Sequence, residues 1–194
     1  EFRVQPSQAF DVKEVLSYAW PLSVSCVLSL LVGQMDILLL GSYTSTSTVG
    51  IFRLYVYVLS LIGVIKVSFD QIFKPIASEL VAVDDLVGLS KIYRRVAKWL
   101  FHINLGVLLI FLVLGEGLME MLFPEEYIAS FLALVFMMSG RFINAALGPE
   151  GMVIESLGYT RYSMLNVLVM LVVNLVIDLV LIPRYGIMGA ALGM

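Results

Sequence analysis

Arg141 stands near the middle of the apolar run ALVFMMSGRFINAALG, too far from either end for its guanidinium to reach water by stretching along the helix. A charge placed there faces protein or a water-filled cavity, where intramembrane arginines mark a substrate or ion path or pair with a carboxylate. The planar guanidinium fork donates two parallel hydrogen bonds, a geometry suited to phosphate. Lys66, Asp70 and Lys74 follow one another at i, i+4 and i+8 in IKVSFDQIFKP, so they form one helical stripe with net positive charge. The stripe reads as a cationic wall for an anionic headgroup or as a self-neutralising ladder whose lysines reach the membrane surface. Arg141, Lys66 and Lys74 are therefore the candidate cationic substrate-binding residues.

The acids in apolar stretches suggest a second kind of chemistry. Asp36 and Arg53 lie at similar distances on either side of the polar run 42–48, and an antiparallel hairpin brings them to similar depth. An ion pair between them is the structural reading, and ion coupling or substrate binding is the functional one. Asn174 and Asp178 share a helix face, where they either hydrogen-bond to a neighbour or bind a coupling cation. Asp36, Arg53, Asp70 and Asp178 thus make up the candidate ion-pair or coupling set, with H+ or Na+ as the coupling ion. No other cofactor is expected. His102 and Cys26 are single residues of their kinds and offer no metal site. GxSxG, GxxxxGK[ST] and HExxH are absent, and Asp84-Asp85 alone is weak as a metal-diphosphate cluster. No catalytic residue is assigned, and the chain is not read as an enzyme.

The elements that must position these charges are membrane helices. Hydrophobic residues make up 60% of the chain and charged residues 14%, against roughly 25% charged in soluble domains. The mean hydropathy is +0.98. Spans of about 20 mostly apolar residues fall at 18–41, 49–72, 97–114, 128–147 and 164–182. A sixth apolar segment opens at 187 and is read as truncated, which makes the chain a piece of a longer protein. Residues 1–14 form a polar connecting segment, not a cleaved signal, because they are mixed in charge and not basic. Residues 15–194 form one helical bundle. The second helix runs on to about Leu80, the fourth kinks at Gly148-Pro149 and helix resumes from Glu150 to Leu157.

Basic residues between the spans fix an expected orientation. Arg3, Lys13, Lys91, Arg94, Arg95, Lys98 and Arg161 all fall on one side, while the opposite loops carry Arg184 alone. The N-terminal end is therefore cytoplasmic. Lys91 to Lys98 with Trp99 reads as an anchor for anionic membrane lipids, and Glu116, Glu120, Glu125 and Glu126 as a solvated external loop.

NLVIDLVLIPRYGIMGAALGM resembles the penultimate and last helices of polysaccharide flippases in the multidrug/oligosaccharidyl-lipid/polysaccharide exporter superfamily, which often read LIPxYGixGAA there. LSYAWPLSVS, QMDILLLGSYTSTSTVGIF, FPEEYIAS and ESLGYTRYSMLN match other parts of the same family in order, so the likeness spans nearly the whole chain. Pro124 stands where a Gly is usual, and Asp178 where a neutral residue such as Asn is common. The resemblance implies an all-α, MATE-like transporter of two lobes, of which this chain is the second, the missing N-terminal lobe belonging to the same polypeptide. It implies export of a polyprenyl-diphosphate-linked oligosaccharide across the bacterial inner membrane by alternating access, for O-antigen or related lipopolysaccharide. A polysaccharide polymerase is a further partner, and no nucleic acid is expected. A cation-coupled multidrug antiporter and a non-transporting scaffold for a glycan assembly complex are the alternatives.

Overall fold

The computed structural model describes residues 12–194, so most of the 1–14 connecting segment lies outside the described residues. Helices follow in the order α1 (Val12–Tyr43), α2 (Thr46–Ala82), α3 (Leu86–Leu122), α4 (Glu125–Ile128), α5 (Phe131–Ala146), α6 (Glu150–Ser156), α7 (Thr160–Tyr185) and α8 (Ile187–Gly193). No strand occurs among the described residues. Five helical segments are long and apolar enough to cross a membrane, α5 and α6 counting together as one. Their outward faces carry large apolar side chains such as Leu30, Leu61, Val113 and Val169, as expected where lipid replaces water as the surrounding solvent.

Helix length departs from the apolar stretches read in the sequence. α2 and α3 have 37 residues each, about 55 Å at 1.5 Å per residue, well beyond a hydrocarbon core of about 30 Å. α3 begins at Leu86, where the apolar stretch begins only at 97. Hydropathy marks the part of a helix that lies in lipid; capping marks its end. Here Asp84 takes a positive φ of 56°, and the Asp85 side chain accepts a 2.8 Å hydrogen bond from the Gly88 amide. The basic run Lys91 to Lys98 is consequently helical. Glu116 and Glu120 likewise belong to α3, and Glu125 and Glu126 to α4, instead of one open loop; all four are exposed.

The α1–α2 turn is short because Ser45 caps α2, accepting from the Thr48 amide at 3.3 Å. The expected kink in the fourth span is a full break. Gly148 adopts φ +85°, and an added Cβ would lie 2.9 Å from the Ala97 side chain, so both conformation and space call for glycine. The Leu147 carbonyl freed by the break accepts a 2.5 Å hydrogen bond from the Tyr93 hydroxyl.

α1 packs along α7, and α8 folds back onto α7 through Gly186, at φ +54°. Two apolar cores result. The larger joins Leu40, Phe52, Leu59, Leu134, Met137 and Ile182; the smaller joins Phe73, Ala77 and Leu89 with Tyr93 and Val153 at the basic end of the bundle. In the larger, the Tyr55 hydroxyl donates to the Tyr127 carbonyl, tying α4 to α2.

Candidate functional site

Polar residues from five spans converge around Arg141 of α5. On one side Arg141 lines a cavity of about 280 Å³ together with Ser29 and Asp36 of α1, Asn144 of α5 and Asn174 of α7. On the other it lines a cavity of about 330 Å³ with Lys66 of α2, Asn104 of α3 and again Asn144. Arg141 itself is exposed. The arginine therefore stands between an acidic chamber and a basic one.

Beside the acidic chamber, α1 and α7 are in tight contact. Asp36 is 6% exposed and Asp178 0%, and the two carboxyl groups face one another, with the Asn174 amide beside Asp36. Asn174 Nδ2 donates to the Gly193 carbonyl of α8 at 2.9 Å. Asp36 Oδ1, both carboxylate oxygens of Asp178 and Asn174 Oδ1 are buried without a hydrogen-bond partner. Buried acceptors are almost always satisfied in folded proteins. Two facing carboxyl groups with an amide oxygen form an all-oxygen donor set, which suits a hard cation or a shared proton. No group of three or more His, Cys, Asp or Glu side chains that could hold a metal ion occurs among the described residues.

The close approach of α8 shapes this chamber. A Cβ on Gly193 would lie 2.2 Å from Asp178 Oδ1, so any larger residue there would push the carboxyl group aside. A Cβ on Gly189 would lie 2.4 Å from the Leu181 carbonyl oxygen. The small residues of GIMGAALG thus serve close packing of α8 on α7 over Asp178.

Several expected pairings change. Asp36 does not meet Arg53: Asp36 turns inward to Asp178, Asn174 and the field of Arg141, whereas Arg53 is exposed on α2. Similar depth in a hairpin does not set rotation about the helix axis, and the two residues lie on different faces. The Lys66–Asp70–Lys74 stripe splits. Lys66 pairs with Asp70 at 3.3 Å, while Lys74 turns away to Glu155 of α6 at 3.1 Å. Lys74 therefore belongs to the attachment of α6, along with a 3.2 Å hydrogen bond from the Tyr18 hydroxyl to the Glu155 carbonyl. Arg141 and Lys66 share a chamber; Lys74 does not line it.

Asn104, Asn144 and Glu155 were not singled out in the sequence. Asn144 was within reach, since it lies three residues after Arg141 on the same helix and so shares its face. Glu155 and Asn104 had no local signal, because their neighbours come from distant helices. Lys74 Nζ is in a pair whose lysine side chain is 46% exposed, and such pairs are worth about 1 kcal/mol or less. Glu155→Gln is accordingly expected to shift the thermal unfolding midpoint little, and the exchange Lys74→Glu with Glu155→Lys to restore it. A large loss in Glu155→Gln, unrepaired by the exchange, would show that α6 depends on this contact far more than its exposure indicates.

Fold and site define a multi-pass, all-helical membrane protein with a polar interior. Residues 1–132 match the family model described as "Polysaccharide biosynthesis protein", and the chain belongs to that family; its role is in polysaccharide biosynthesis. It is similar to the capsular polysaccharide biosynthesis protein CapF of Staphylococcus aureus, at 29% identity over 188 residues, 93% of this chain and 46% of the relative. The chain thus spans about half the length of that relative. No solved structure gives a significant match.

Proposed function

We propose that this chain is one lobe of a flippase that carries a polyprenyl-diphosphate-linked oligosaccharide across the bacterial cytoplasmic membrane. The observation that carries the reading is Arg141, an exposed guanidinium in mid-span that lines two cavities between the helices. It would hold the diphosphate by bidentate hydrogen bonds, with Lys66 and the amides of Asn104 and Asn144 on the same wall. The basic chamber, at about 330 Å³, has room for a diphosphate and not for an oligosaccharide. The sugars would occupy space enclosed with a second lobe, and the prenyl tail would stay in lipid.

The carboxyl pair Asp36–Asp178 with Asn174 would take the coupling cation, a sodium ion or a proton, whose gradient drives rocking of the lobes. Membership of the polysaccharide biosynthesis family supports the glycan substrate over a cationic drug. In this reading the basic end of the bundle, with Lys91, Arg94, Arg95 and Lys98, faces the cytoplasm. The test is movement of a labelled polyprenyl-diphosphate oligosaccharide between leaflets of vesicles containing the full-length protein, under an imposed sodium or proton gradient. Gradient-dependent movement is the expected result. Folded protein that moves no substrate under either gradient would overturn the flippase reading and leave a scaffold for glycan assembly.

A further inference from the structure

The short helix α6 lies between two glycines of left-handed backbone, Gly148 at φ +85° and Gly158 at φ +81°. Packing against Ala97 also demands the first, whereas a Cβ on Gly158 would meet nothing within 4 Å, so that glycine answers to conformation alone. Glu155 ties α6 to two neighbours at once. Its carbonyl accepts from the Tyr18 hydroxyl of α1 at 3.2 Å, and its carboxylate takes the Lys74 ammonium of α2 at 3.1 Å. The Ser156 hydroxyl lies 3.5 Å from that of Ser78, one turn beyond Lys74. α6 thus bridges α1 and α2 at the basic end of the bundle, where the turn that joins those two helices is at the opposite end.

Lys74 stands eight residues beyond Lys66 on α2, about 12 Å farther toward the basic end. An anion that approaches the chamber of Lys66 and Arg141 from that end meets Lys74 first. The lysine side chain is 46% exposed and that of Glu155 14%, so the ammonium is open to a second partner while it holds the first. Exposed pairs of this kind are weak. A diphosphate offers the ammonium more negative charge and more acceptor oxygens than one carboxylate does. An exchange of partners at Lys74 takes from α6 its ion pair with α2. The apolar contacts of Met152 and Val153 with the Phe73–Ala77 core remain.

Resting on the flippase reading, we infer that the Lys74–Glu155 pair is a latch that a diphosphate headgroup opens. Lys74 exchanges Glu155 for the diphosphate on the approach to the basic chamber, and the Glu155–Ser156 end of α6 parts from α2 by turning at Gly158. Glu155 is therefore a competitor of the substrate, since a diphosphate bound at Lys74 must displace it. Without a diphosphate the latch keeps α1 and α2 bridged at the basic end. A lipid that lacks the anionic group has nothing to offer Lys74 and leaves the bridge closed.

The experiment has two readouts on the full-length protein in nanodiscs. The first is binding of radiolabelled farnesyl diphosphate. Glu155→Gln removes the competing charge and is expected to bind about threefold tighter than the wild type, the factor that a weak exposed pair represents. Lys74→Gln is expected to bind more weakly by about the same factor or more. The second readout is disulfide formation between cysteines introduced by Ser78→Cys and Ser156→Cys in protein otherwise free of cysteine. Cross-linking under a mild oxidant is expected to be slowed about fivefold by saturating farnesyl diphosphate, the low end of the range for coupled equilibria. Clear binding with cross-linking equally fast in its presence and absence would overturn the latch and leave the flippase reading intact. If the cysteine pair is lost to misfolding, the first readout decides: Glu155→Gln that binds no tighter than the wild type overturns the latch. No binding by the wild type or either variant would remove the flippase reading, and the latch with it.

Discussion

In the flippase reading proposed above, Arg141→Ala is expected to abolish export, while Arg141→Lys retains a part of it. The guanidinium is the mid-span charge that lines both cavities, and the lysine of the basic chamber is already engaged by Asp70 at 3.3 Å. Loss of two charge-assisted hydrogen bonds at about 1.5–3 kcal/mol each corresponds to a fall of a hundredfold or more in transport, at about 1.4 kcal/mol per tenfold. Lysine keeps the charge and loses the planar fork, so the bidentate geometry goes while the electrostatic attraction stays. The check is initial transport rate in vesicles, normalised to the amount of folded protein. Export by Arg141→Ala at the wild-type rate would remove the arginine from the substrate path, and equal defects in Ala and Lys would mean that geometry alone matters.

Gly189→Val is expected to have the largest effect on stability. Gly189 is buried, and a Cβ there would lie 2.4 Å from the Leu181 carbonyl oxygen and 2.5 Å from its carbon. The obstacle is backbone, so no side-chain rotation relieves it and α8 must shift from α7. Overpacking of this kind costs about 3 kcal/mol. The displacement also draws the Gly193 carbonyl away from Asn174, which it accepts at 2.9 Å, and uncovers Asp178. A marked drop in the thermal unfolding midpoint of the full-length protein is expected. Gly117→Ala serves as the control: nothing lies within 4 Å of a Cβ at that position, and alanine in a helix is favoured over glycine by about 1 kcal/mol. Equal midpoints for Gly189→Val and wild type would show that α8 is not seated on α7 as described.

These outcomes bear on different layers of the molecule. Arg141 was visible in the sequence because a lone charge in an apolar span stands out against its neighbours whatever the fold. The break at Gly148-Pro149 was visible because proline forbids a helical hydrogen bond locally. Gly189 was not legible as a steric constraint, since the clash is with Leu181 across a turn and exists only once α8 has folded back.

The same division holds for the charges. From local chemistry alone follow the five long apolar helices, the helical hairpin at 42–48, the basic end of the bundle and the presence of isolated ionisable groups within spans. Hydropathy and charge belong to each residue and its neighbours in sequence. Helix ends at Leu86 and Leu122 escaped hydropathy, because a helix continues into water as long as its caps permit. Only the tertiary structure decided the partners: Asp36 with Asp178 instead of Arg53, Lys74 with Glu155 instead of Asp70, and Arg141 between two chambers. Sequence spacing states how far along an axis two residues lie, whereas pairing across helices depends on the rotation of each helix about its axis. That rotation is settled by packing, here by Gly189 and Gly193 letting α8 close over α7.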